Sequence, residues 1–90
     1  MRILTTPRFD RSFKKLHKYE KQALDAAVRS VISDSEIGEL KKGDLAGVRV
    51  YKFRFNREQM LLAYAANTNQ QVIILMCYGT HENFYRDLKH

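Results

Sequence analysis

The spacing of apolar residues changes along the chain. In the N-terminal part, Phe9, Phe13 and Leu16 recur at i, i+4 and i+7, which predicts an amphipathic helix over "PRFDRSFKKLHK". Thr6 before Pro7 is a good start for it, a hydroxyl cap followed by proline at the first helical position. The opposite face carries Arg8, Arg11, Lys14, Lys15 and Lys18. Leu24, Ala27, Val28, Val31 and Ile32 form a second apolar stripe across "YEKQALDAAVRSVIS", so two helices follow one another as a hairpin. "MRILTT" ahead of them reads as a short strand. After the glycine-containing loop "SEIGELKKGDLAG" the period becomes two. In "VRVYKFRFN", Val48, Val50, Lys52 and Arg54 point one way and Arg49, Tyr51, Phe53 and Phe55 the other. Asn56, Arg57, Glu58 and Gln59 then turn the chain. "MLLAYAAN" and "VIILMCY" read as two further strands joined by "TNQQ". Gly79 is expected to end the last strand, and Thr80 to cap a closing helix, "HENFYRDLK".

This order, β-α-α-β-β-β-α, predicts a single α+β domain over residues 1–90. The N-terminal strand and helical hairpin pack on an antiparallel sheet, and a short C-terminal helix follows. Tyr51, Phe53 and Phe55 suit the helix-covered face, which leaves Lys52 and Arg54 on the open one.

Composition narrows the function classes. One cysteine, Cys77, excludes an internal disulfide and fits a reducing compartment. It falls in an apolar strand, which suits a buried core thiol rather than a nucleophile. The N-terminus lacks an apolar stretch long enough for a signal peptide or membrane span, so a soluble, cytoplasmic protein is expected. Sixteen basic against 10 acidic residues leave a net charge of +6. Such an excess favours a polyanionic partner, a nucleic acid or an acidic protein, although a merely solvated basic surface has the same balance. His17, His81 and His90 do not form a metal-binding spacing, and neither a metal nor a cofactor is expected.

Two groups of residues carry candidate chemistry. Lys52 and Arg54, two apart on one strand, share a face. They read either as ordinary exposed cations or as a cradle for phosphate, where arginine adds forked hydrogen bonding. His81 and Tyr85 are i, i+4 in the closing helix and share a face there. Phe84 and Leu88 form a second i, i+4 pair that would anchor that helix, and Glu82 and Arg86 can pair at its surface. Imidazole suits proton transfer near neutral pH, although a lone histidine at a helix start is often incidental.

Taken in order, "LKKGDLAGVRVYKFRFNREQMLLAYAAN…VIILMCYGTHENFYRDL" resembles the RelE/ParE superfamily of toxins from bacterial type II toxin–antitoxin pairs. The resemblance spans essentially the whole chain. It implies one of two activities, ribosome-dependent cleavage of messenger RNA or inhibition of DNA gyrase without nuclease activity. It also implies an acidic antitoxin as partner in a hetero-oligomer, and no membrane. For the nuclease, Lys52 and Arg54 match basic strand positions that stabilise phosphate. His81 and Tyr85 match the imidazole or basic position after the last strand and the C-terminal tyrosine, as an acid/base pair of open order. Such nucleases carry an arginine one residue before the segment here reading "LAY", where this chain has Leu61. Arg49, Arg57 and Arg86 are the remaining candidates for phosphate binding and for that missing cation. A nonenzymatic RNA- or DNA-binding module would explain the charge but would not need His81 and Tyr85 together.

Overall fold

A computed structural model describes residues 2–80 together with Phe84. Strand β1 (Arg2–Thr5) leads into helix α1 (Pro7–Lys14) and helix α2 (Lys18–Ser33). The short strand β2 (Glu39–Leu40) and a 3-10 turn (Gly43–Leu45) precede strands β3 (Arg49–Phe55), β4 (Glu58–Asn67) and β5 (Val72–Thr80). The strands form one sheet in the order β1-β5-β4-β3-β2. As expected, β3, β4 and β5 are an antiparallel meander. β1 joins β5 in parallel, from Arg2 opposite Val72 to Thr5 opposite Leu75, so the sheet is mixed rather than wholly antiparallel.

Helix α1 starts where the sequence places it. The Thr6 side chain accepts a hydrogen bond from the Phe9 amide at 3.2 Å, satisfying one of the amides a helix start leaves unpaired. The same hydroxyl donates to the Met76 carbonyl at 2.6 Å. Met76 lies at a β-bulge: Ala63 pairs with Cys77 and Tyr64 with Leu75, so Met76 has no residue opposite it. One side chain thus joins the start of α1 to the irregular point of β5.

The first helix is shorter than its pattern suggests. It ends at Lys14, and the Lys15 and Leu16 amides close the last turn onto Ser12 and Phe13. Leu16 still packs on the core, from the junction between the helices. His17 begins the next helix, its amide donating to Glu20 at 3.4 Å. Within α2, Leu24, Ala27 and Val31 are buried and Val28 is packed against them, whereas Ile32 is exposed.

β2 falls in the segment that the sequence reads as loop. Two residues are too few for a period, and tertiary contacts hold them instead. The Arg49 guanidinium donates to the Gly38 carbonyl at 2.9 Å and the Glu36 carbonyl at 3.3 Å. The Tyr64 hydroxyl accepts from the Gly38 amide at 2.9 Å and donates to the Ser35 carbonyl at 2.8 Å. A Cβ on Gly38 would fall 2.8 Å from the Tyr64 ring, which explains glycine there. The β3–β4 turn is also tighter than expected. Asn56 and Arg57 both have positive φ, 54° and 69°, the backbone of a two-residue hairpin turn, and β4 already begins at Glu58.

Each face of the sheet has its own apolar cluster. Under the helices lie Phe9, Leu24, Ala27, Val31, Leu62, Tyr64, Ile73 and Leu75, with Tyr51 and Phe53 packed on them as expected. The other face, read from sequence as open, buries Val50, Leu61, Ala63, Cys77 and Phe84. Gly79 does not end β5. It pairs with Leu61, and Thr80 pairs with Met60 as the last strand residue. Phe84 is helical and anchored, in line with the sequence reading. The rest of the expected closing helix, including Leu88, lies outside the described residues.

Replacing Thr6 by alanine removes both the cap and the partner of the bulge carbonyl. Caps are worth about 0.5–2 kcal/mol, so Thr6→Ala should lower stability by about 1–2 kcal/mol in urea unfolding. Thr6→Ser, which keeps the hydroxyl, should restore most of the loss.

Candidate functional site

On β3 the alternation puts Lys52 and Arg54 on the face away from the helices, and both side chains are exposed. With Phe53 and Gln59 they line a shallow depression of about 240 Å³. An Arg54 guanidinium nitrogen donates to the Arg57 carbonyl at 3.4 Å, which draws Arg54 toward the hairpin turn. Lys52 and Arg54 therefore sit together near the turn end of the β3–β4 hairpin, with Arg54 held on the Arg57 backbone. The two ion pairs among the described residues, Arg29 with Asp25 and Lys41 with Glu39, use other cations.

Arg49 is not part of this group. Across the sheet it pairs with Tyr64, on the helix side, where its guanidinium holds the carbonyls ahead of β2. His81, Tyr85 and Arg86 lie outside the described residues. The strand that leads to them ends at Thr80, one residue past Gly79. Lys52, Leu61 and Gly79 are direct cross-strand partners, so β5 lies about 10 Å from Lys52, two strand spacings away.

Leu61 is fully buried between them, in the cluster with Phe84. Where the resemblance calls for arginine, this fold places a closed apolar contact. A guanidinium there would lose its water without gaining a carboxylate in that cluster, which consists of Val50, Leu61, Ala63, Cys77 and Phe84.

Tyr64 and Tyr78 do not supply a base near neutral pH. Burial, and secondarily Glu20, pushes the Tyr78 hydroxyl up to about 12. Burial also raises Tyr64, against the opposing pull of the Gly38 amide and Arg49. Both remain protonated donors under physiological conditions. The described part of the site thus offers exposed cations at Lys52 and Arg54. Among the described residues there is no cluster of three or more metal-binding side chains. Nor is any helix among them long and apolar enough to cross a membrane. Sequence reasoning took Arg8, Arg11 and Lys15 only as the polar side of an amphipathic helix. The structure sets them along a cleft against β5, and their i, i+3, i+7 spacing was the available signal.

A helical hairpin on one face of a small mixed sheet, with a cationic strand exposed on the other, defines the RelE/ParE class of fold. The structure superposes on the RelE–RelB toxin–antitoxin complex of E. coli with a TM-score of 0.71 at 16% identity, covering 88% of this chain and 94% of that one. For a YoeB/ParE toxin from Agrobacterium tumefaciens the TM-score is 0.72 at 17% identity, covering 90% and 99%. For a RelBE2 toxin–antitoxin complex from Mycobacterium tuberculosis it is 0.70 at 15% identity, covering 89% and 96%. No curated protein matches the chain. The family described as "ParE-like toxin of type II bacterial toxin-antitoxin system" matches residues 3–89, and the chain belongs to it.

Two expectations follow from this geometry. Leu61→Arg should cost several kcal/mol, as expected for an unpaired buried charge, whereas Lys52→Ala should leave the urea midpoint nearly unchanged. The Tyr78 shift also makes stability depend on pH. Its hydroxyl ionises near 10 when unfolded and near 12 when folded. The folded state therefore holds the extra proton between these values, and stability should fall from pH 10 toward 12. Tyr78→Phe should flatten that fall in alkaline unfolding curves.

Proposed function

We propose that this toxin is a ribosome-dependent, metal-independent messenger RNA endonuclease. The observation that carries the reading is the pair Lys52 and Arg54, exposed side by side on a rigid strand, with Arg57 in the adjoining turn. In the reaction, a ribose 2′-oxygen attacks the adjacent phosphorus and the bond to the 5′-oxygen breaks. This leaves a 2′,3′-cyclic phosphate and a 5′-hydroxyl. One group takes the 2′-hydroxyl proton and another delivers a proton to the departing oxygen. His81 and Tyr85 fill these roles by resemblance, in an order left open. Lys52 and Arg54 stabilise charge that grows on the phosphate oxygens. Arg57 and Arg86 extend phosphate binding; Arg49, turned to the other face, would have to leave its carbonyl partners to join them.

The natural partner of such a surface is an acidic antitoxin segment that folds as it docks. The E. coli and M. tuberculosis relatives were solved as toxin–antitoxin complexes, which supports an antitoxin for this chain too. We place it over Lys52 and Arg54, where it would block RNA, in a cytoplasmic hetero-oligomer. One observation favours a second reading. Buried Leu61 replaces a cation of the nuclease set, which agrees with gyrase inhibition without cleavage.

Pulse labelling of cells induced to make the toxin separates the two. The nuclease reading expects amino-acid incorporation to fall first, with cuts inside translated frames. His81→Ala and Tyr85→Phe should abolish both effects, and Lys52→Ala with Arg54→Ala should reduce them at least tenfold. Early loss of thymidine incorporation, with filamentous cells and fully toxic His81→Ala, would establish the gyrase reading instead. Lysine footprinting of the antitoxin complex should find Lys52 protected; full reactivity there would place the antitoxin elsewhere.

A further inference from the structure

Helix α1 has an unusually one-sided charge. It and the residue after it carry Arg8, Arg11, Lys14 and Lys15 against one acid, Asp10. Arg11 and Lys15 are four apart, an arrangement in which like charges repel across a helix turn. Arg8, Arg11, Ser12 and Lys15 share one face and line a cleft of about 260 Å³ with Tyr78 and Phe84.

The cleft follows from the unequal lengths of β1 and β5. β1 ends at Thr5, opposite Leu75, whereas β5 runs on to Thr80. Beyond Leu75, α1 takes the place of a neighbouring strand, tied to the bulge by Thr6. Its basic face therefore borders the outer edge of β5, with no carboxylate among the described lining residues. Lys52 lies on β3, two strands away along the row through Leu61 and Gly79. Cations thus border the far face of the sheet from two sides. Phe84 is buried and Tyr78 half-buried, so neither offers a free ring for base stacking.

We propose that the α1–β5 cleft is a second phosphate-binding site, one that takes the backbone of single-stranded RNA. Arg11 and Lys15 each contact a phosphate of the strand, and the Ser12 hydroxyl donates to a phosphate oxygen. Without an exposed ring among the described lining residues, recognition is of the backbone and independent of sequence. The inference rests on the nuclease reading in placing the same strand across Lys52 and Arg54. Held at both points, the strand is fixed in register over the site.

The test uses the purified chain and a single-stranded RNA with every ribose 2′-O-methylated, so that the attacking hydroxyl is absent and binding is read without cleavage. Fluorescence anisotropy across a salt series compares the wild type, Arg11→Gln with Lys15→Gln, and Lys52→Gln with Arg54→Gln. Each single-strand phosphate contact contributes about 0.7 to the slope of log affinity against log salt. Either double variant should flatten the slope by roughly 1.4 on a long oligomer. On an oligomer too short to reach both sites the two losses should no longer combine. Should the glutamine variants misfold, lysine footprinting of the wild type decides, with RNA expected to protect Lys15 along with Lys52. An unchanged slope, or an unprotected Lys15, overturns the site. If RNA binding is unchanged while antitoxin affinity drops, the cleft serves an acidic protein and the proposal is also overturned. A flattened slope in a toxin that cuts no messenger RNA in cells would keep the cleft and remove the nuclease.

Discussion

The Thr6 hydroxyl meets two needs that arise in different parts of the chain. A helix start leaves amides without partners, and a β-bulge leaves a strand carbonyl without its usual ladder partner. By accepting from Phe9 and donating to Met76, the hydroxyl satisfies both and ties the start of α1 to β5. The bulge matters beyond this contact. Leu75 faces the helices and Cys77 the other side, although side chains two apart on a regular strand share a face. The extra residue, Met76, shifts the alternation and brings Cys77 beneath Phe84 and Tyr78 against Phe9. The rings of Phe9 and Tyr78 meet edge to face, with centroids 5.7 Å apart.

The far face of the sheet combines two environments. Its centre is an apolar contact of Val50, Leu61, Ala63, Cys77 and Phe84, and its border is cationic at Lys52 and Arg54. Both come from the same alternation on β3, where Val50, Lys52 and Arg54 follow one another on one side. Val50 lies under the cover of Phe84, and the two cations lie outside it. This explains how Leu61 can be buried directly opposite an exposed lysine. Hydrophobic closure at the centre holds the strands that carry the charges, and a cation at position 61 would compete with that closure.

Of the described cations, Arg29 and Lys41 form ion pairs with Asp25 and Glu39, and both contacts are at the surface, where such pairs contribute little. Arg49 works through backbone carbonyls and builds the β2 edge. Lys52 and Arg54 on β3 and Arg11 and Lys14 on α1 are exposed to solvent. Lys52 and Arg54 take no part in these ion pairs, so their charge stays at the surface.

Much of this architecture follows from local spacing. The 3.6-residue period marks α2, and the two-residue period marks β3 and assigns Tyr51 and Phe53 to the helix side. The Thr6–Pro7 pair marks the start of α1, and Phe84 is recognisable as an anchor. The signal fails where pairing is long-range or very short. β2 is two residues stitched by Arg49 and Tyr64, and the parallel seat of β1 depends on β5, some 70 residues later. Gly79 looks like a strand end because glycine weakens strands locally, yet the ladder with Leu61 carries it. Of the candidate site, the sequence by itself determined that Lys52 and Arg54 share a face, because alternation is a property of the backbone. Only the tertiary structure decided that Arg54 reaches the Arg57 carbonyl, that Arg49 turns away, that Leu61 is sealed and that the α1 cations border the same face. Each of these depends on register and on a bulge, which arise when distant segments pair and their side chains compete for the same space.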